Sequence, residues 1–116
     1  MPNTLSDWII LLNNDIDKEV TNTSAGVYVL TTSWTDGVLY VGRSDDDLNK
    51  RLKDHVGETS PTKKKIYFWF KYEYASSPKS AYEKECRLYH TLNPPDNKKH
   101  PDKPEGTTYP CPVCGN

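Results

Sequence analysis

Apolar positions along this chain change period several times, and each change marks an element. Gly26-Val27-Tyr28-Val29-Leu30-Thr31-Thr32 is an almost unbroken β-branched and aromatic run, and Gly37-Val38-Leu39-Tyr40-Val41-Gly42 resembles it. Both read as strands, and the Asp36-Gly37 step between them predicts a β-hairpin. Leu48, Leu52, His55 and Val56 then recur at helical spacing. They follow Asp45-Asp46-Asp47, whose charges suit a helix N-terminus. Ile66 to Tyr74 reads as a third strand. Ser77-Pro78 offers a cap followed by proline at the first helical position, which predicts a helix to about Leu92, ending before Asn93-Pro94-Pro95. Near the amino end, Ser6 ahead of Asp7-Trp8-Ile9-Ile10-Leu11-Leu12 predicts a short helix within 4–15. The sum is an α+β fold, a three-stranded antiparallel sheet flanked by helices. It divides into a lead-in (1–24), a core domain (25–97) and a proline-rich tail (98–116).

With 116 residues the chain has the length of one domain. No apolar run approaches the roughly 18 residues of a membrane span. The amino terminus has no basic stretch leading into an apolar one, so no secretory signal is expected. Three cysteines, an odd number, do not make a disulfide framework. These features point to a cytoplasmic protein with reduced thiols. Fifteen Lys plus Arg against sixteen Asp plus Glu leave a net charge of −1. A nucleic-acid function would therefore have to come from a local site, not from a strongly basic domain.

One carboxylate breaks the pattern. On the 78–92 helix, Glu85 falls on one stripe with Ala81, Leu88 and Leu92. Glutamates are rarely buried unless paired or bound to metal. Glu85 either reaches water at the stripe's edge, pairs with Arg51 or Arg43, or holds a metal. Phosphodiester hydrolysis needs a nucleophile, a way to deprotonate it, and positive charge on the phosphate oxygens. A carboxylate with Mg²⁺, an arginine fork, and a tyrosine or histidine supply those parts.

Gly26-Val27-Tyr28, then Tyr40-Val41-Gly42, Arg51 with His55 on the next helix, Glu85, and Asn97 at the end of Pro94-Pro95-Asp96-Asn97 stand in one order over about 25–97. That arrangement resembles the GIY-YIG nuclease superfamily. The resemblance implies a metal-dependent endonuclease that hydrolyses DNA. Tyr28 would be the general base or water-activating phenol, and Tyr40 would line the site and hydrogen-bond the water or phosphate. Arg51 would stabilise charge on the scissile phosphate, and His55 would contact it or assist proton transfer. Glu85 would be the sole protein ligand of Mg²⁺ (or Mn²⁺), and Asn97 would brace the site. Valine replaces isoleucine in both tripeptides. The acidic loop 45–47 stands near the expected phosphate path and weighs against tight unaided DNA binding, so a partner protein or domain supplying specificity is expected. Arg43 with Lys63, Lys64 and Lys65, and Lys98, Lys99, His100 and Lys103, are the candidate phosphate contacts. The alternative function is a non-catalytic nucleic-acid- or protein-binding module of the same fold.

The tail adds separate chemistry. Cys111-x-x-Cys114 is a metal-knuckle spacing, and a structural Zn²⁺ site needs four ligands. Cys86 and His90, at i and i+4 on the glutamate helix, would complete it, with His100 a rival for the fourth position. Otherwise Cys86 is a small buried hydrophobe and the terminal pair is free.

Overall fold

The computed structural model describes residues 5–116; Met1 to Thr4, the start of the expected lead-in, lie outside them. Among the described residues four strands, not three, form one antiparallel sheet. They are β1 (Ile9–Ile10), β2 (Gly26–Thr31), β3 (Tyr40–Ser44) and β4 (Trp69–Tyr74), in the order β1-β4-β2-β3.

The extra strand replaces the expected amino-terminal helix. Ser6 is not a helix cap: its N–H donates to the Tyr72 carbonyl at 2.9 Å and its hydroxyl accepts from the Tyr72 N–H at 3.1 Å. Ile9 and Ile10 pair with Phe70 and Trp69, and the Leu11 N–H reaches the Phe68 carbonyl. The reason is the free edge of β4, whose backbone groups need partners. The unbroken run from Trp8 to Leu12 satisfies them better extended than coiled. The helix begins only at α1 (Asn13–Glu19), where Ile16 and Val20 fall four apart and are both buried.

β2 lies between β4 and β3 and is buried at every position, which explains its unbroken apolar run. Tyr28 and Leu30 point to one face, where Ile16 of α1 and Leu48 and Leu52 of α2 (Leu48–Lys53) complete the main core. The alternate face carries Val27, Val29 and Val41 and meets α3 (Pro78–Leu92). The β2–β3 link is longer than a two-residue turn: a 3₁₀ turn at Trp34–Asp36 leads into Gly37 at φ +69°, and β3 starts at Tyr40.

Local signals place both later helices. Asp47, last of the acidic trio, caps α2 by accepting the Lys50 N–H. Ser77 caps α3, Pro78 opens it, and Asn93 closes it in the left-handed conformation. The buried face of α3 is Ala81, Tyr82, Glu85 and Cys86, while Leu92 stays exposed. After Pro94-Pro95 the chain doubles back along β3 and continues without regular elements. No helix among the described residues is long and apolar enough to cross a membrane.

Candidate active site

The two tripeptides face each other across the β2–β3 ladder, with Tyr28 opposite Gly42. A Cβ on Gly42 would stand 2.4 Å from both Cζ and Oη of Tyr28, so only glycine admits the buried phenol. Gly26 is as constrained, because a Cβ there would stand within 2.7 Å of Leu48 Cδ2 and the Glu73 carbonyl. The Tyr28 hydroxyl lies 2.6 Å from His55 Nε2, and His55 Nδ1 lies 3.0 Å from Glu58 Oε1. A carboxylate only accepts, so Nδ1 carries a hydrogen; in the neutral ring Nε2 then accepts from the phenol. Tyr40 stacks at a tilt 6.3 Å from the Tyr28 ring and 5.4 Å from His55. Burial holds the Tyr28 phenol far above its ordinary range, Tyr40 adds to the shift, and the Arg51 charge opposes it.

Glu85 is buried on α3 and faces Arg43, which stands on β3 opposite Val27. Arg43 Nη1 donates to Glu85 Oε1 at 2.7 Å and to the Asp102 carbonyl at 2.5 Å, while Nε donates to Asp45 Oδ1 at 2.6 Å. The guanidinium also lies over the Tyr82 ring. Burial pushes the Glu85 carboxyl up to about 7 against the pull of Arg43. Burial works against the Arg43 charge too, but the hydrogen bonds it donates to Asp45 and Glu85 outweigh it.

The outer edge of β3 is closed by the returning chain. Asn97 accepts the Val41 N–H through Oδ1 at 2.8 Å and donates Nδ2–H to the Val41 carbonyl at 2.9 Å. Its neighbour Asp96 donates its N–H to the Leu39 carbonyl. The Asp96 carboxylate gathers the hydroxyls of Ser60 (2.7 Å), Thr62 (2.5 Å) and Tyr67 (2.5 Å). Beside this edge opens a cleft of about 650 Å³ lined by Tyr40, Arg43, Arg51, Glu85, Asn97 and the 98–102 segment. A model of the GIY-YIG catalytic domain matches residues 24–100.

The chain belongs to the GIY-YIG family. The fold is therefore of nuclease type. Neither a curated protein nor a solved structure matches the chain significantly. Of the residues expected from the GIY-YIG pattern, Tyr40, Arg51, Glu85 and Asn97 line the cleft, Tyr28 and His55 pack against the Tyr40 ring, and the Tyr28 hydroxyl lies against cleft-lining Gly42. Arg51 is half exposed and its nearest carboxylate, Asp54, is 3.9 Å away.

The expected phosphate contacts separate. Arg43 is committed to Asp45, Glu85 and Asp102. Lys63, Lys64 and Lys65 do not line the cleft, and Lys63 and Lys65 pair with Asp36 at 3.7 and 3.3 Å. Lys103 is tied to the carbonyls of Tyr109 and Asn116. Lys98 and Lys99 do line the cleft. The acidic loop also serves the scaffold: Asp45 holds Arg43 and Asp47 caps α2. Sequence reasoning missed Glu58 and Asp96. Glu58 sits three residues after His55, a spacing that could have flagged it, whereas nothing local marks Asp96.

A second cluster shares His100 with the cleft wall. The ligand atoms of His90, His100, Cys111 and Cys114 lie within 4.8 Å of one another. Cys86 is not in this group, and His100 takes the place expected for it. The helical i, i+4 spacing brings Cys86 to the core, against Tyr82 and Cys111, where burial pushes its thiol up to about 12. Burial opposes ionisation of Cys111 as well. The Cys114 and Val113 amides and the His100 ring nevertheless bring that thiol below the ordinary thiol range.

Proposed function

We propose that this chain is a metal-dependent endonuclease hydrolysing DNA phosphodiester bonds, with the scissile phosphate in the cleft beside β3. The observation that carries the reading is Glu85, a carboxylate buried on α3 yet open to the same cleft as Arg51 and backed by the Tyr28–His55 pair.

Glu85 suits Mg²⁺ or Mn²⁺. Its carboxylate and the Asp102 carbonyl, both hard oxygen donors, already converge on one cationic group, the Arg43 guanidinium. When bound, the metal supplies charge neutralisation at the phosphate and acidifies water. The rest falls to the chain. Tyr28 is held protonated by burial, so it is a poor phenolate base. It works instead as a relay: its oxygen takes a proton from the attacking water as its own hydrogen passes to His55 Nε2. The resulting imidazolium is stabilised by Glu58 on the other nitrogen. Arg51, half exposed and 3.9 Å from its ion-pair partner Asp54, offers its fork to the phosphate oxygens where charge develops. Tyr40 walls the site and presents its hydroxyl to water or phosphate, and Asn97 fixes the strand that carries it.

The competing reading is a non-catalytic binding module. It draws on the same Arg43–Glu85 pair, which fills the carboxylate's cation position with the protein's own charge. One assay decides: purified chain with Mg²⁺ or Mn²⁺ on supercoiled plasmid, beside Glu85→Gln. Cleavage by the parent alone, with the variant folded, supports the enzyme. No cleavage by either, or equal cleavage by both, ends that reading. With a net charge of −1, DNA binding by the chain alone is expected to be weak and salt-sensitive, with specificity supplied by a partner.

A further inference from the structure

We propose that His90, His100, Cys111 and Cys114 bind one structural Zn²⁺, and that this ion holds the wall of the cleft in place. Two thiolates and two imidazoles form a closed tetrahedral donor set typical of structural zinc and a poor one for Mg²⁺. Tetrahedral zinc distances put ligand atoms about 3.3–3.8 Å apart. The four here lie within 4.8 Å, so a small contraction completes the site. His100 is already oriented: its Nδ1 donates to the Pro101 carbonyl at 3.0 Å, which turns Nε2 toward Cys114 Sγ, its hydrogen-bond partner at 3.5 Å. The cysteine loop is formed in the same way. The Val113 N–H points at Cys111 Sγ, and the Gly115 N–H closes on the Cys111 carbonyl at 2.9 Å. The His90 and His100 rings lie at a tilt to each other with centroids 5.2 Å apart.

The ligands come from three places: the last turn of α3, the returning segment, and the carboxyl-terminal loop. His100 lies between Lys99 and Asp102, both on the cleft, and the Asp102 carbonyl holds Arg43. The 98–102 segment has no regular structure and exposes Lys98 and Lys99; its other ties include buried Pro101, the Arg43 bond to the Asp102 carbonyl and the Tyr89 ring against His100. The ion thus sets where those lysines and the Asp102 carbonyl stand, whether or not the cleft hydrolyses DNA.

The test uses the full chain purified without chelator. One zinc per chain is expected, and Co²⁺ added to the chelated protein should give tetrahedral ligand-field bands with thiolate charge transfer. Cys114→Ser and His100→Ala should each lose zinc, while Cys86→Ala keeps it. Trypsin should cut after Lys98 or Lys99 much faster once zinc is removed, and zinc should restore protection. Failure of the parent to bind zinc or tetrahedral Co²⁺ overturns the site, as does zinc retained by His100→Ala but lost by Cys86→Ala. Unchanged trypsin cleavage on zinc removal overturns the positioning role. None of these readouts depends on nuclease activity.

Discussion

The Tyr28 phenol fills the space that a side chain on Gly42 would need, with 2.4 Å between the phenol's Cζ and the point where a Cβ would sit. Tyr28 cannot retreat, because it is buried in the main core and hydrogen-bonded to His55. Gly42→Ala should therefore displace the phenol and cost about 1–3 kcal/mol in a denaturant midpoint series. It should also abolish plasmid cleavage under the proposed chemistry. A variant of unchanged stability and activity would show that the phenol has room to move.

Arg43 and Glu85 form a largely buried ion pair, with side chains only 10% exposed. Arg43→Ala leaves the carboxylate without its partner. The expected loss at neutral pH is about 3 kcal/mol, the low end for breaking a buried pair, because Glu85 can take up a proton. Mg²⁺ or Mn²⁺ should restore part of that stability in the variant, and more than it adds to the parent, where the cation must displace the guanidinium. Thermal melts with and without divalent ion measure both; equal metal shifts in the two proteins would contradict the shared position.

The Glu85 carboxyl sits at about 7, raised from 4.5 by burial. Folding binds that proton more tightly than the unfolded chain does. The group therefore favours the fold below about 4.5, and this advantage is lost as pH rises to about 7. Metal affinity runs the other way, because the ligand must be deprotonated: below about 7 it should fall roughly tenfold per pH unit. Cleavage rates at subsaturating Mg²⁺ should show an acid limb that moves to lower pH as Mg²⁺ rises. A limb independent of metal concentration would assign the titration elsewhere.

Asp96 shows the opposite sign. Burial raises its carboxyl, but the Thr62, Tyr67 and Ser60 hydroxyls outweigh that and hold it below 3.8. Its stabilisation is present above 3.8 and lost as pH falls through the depressed value. Asp96→Asn should cost about 2–4 kcal/mol at pH 7. The gap between variant and parent should narrow at strongly acid pH. Urea midpoints at both extremes test this, and a constant gap would mean the charge plays no part.

Elements specified by neighbouring residues were legible. α3 runs from Pro78 to Leu92 because Ser77, Pro78 and Asn93 carry their signals locally, and Asp47 caps α2 for the same reason. β1 was not legible, since Trp8 to Leu12 fits helix or strand until β4 offers an edge. At the site, Glu85 stood out as a carboxylate in an apolar stripe, but its partner was open between Arg43 and Arg51. Register decides it: Arg43, opposite Val27, shares the face that α3 covers. Cys86 and His90 looked like partners because helical spacing is visible in sequence. The reversal after Pro94-Pro95 that delivers His100 instead is a tertiary event.

Asn97 meets both backbone groups of Val41 through one carboxamide, as the rung of a neighbouring strand would. β3 is the last strand on that side of the sheet, where exposed amides invite another polypeptide to dock. The Asn97 side chain, with the Asp96 N–H on the Leu39 carbonyl beside it, occupies that docking point without extending the sheet. The rim of the cleft is thereby guarded against strand addition while its mouth stays open, so crowding by neighbouring copies of the chain should not block access to Glu85.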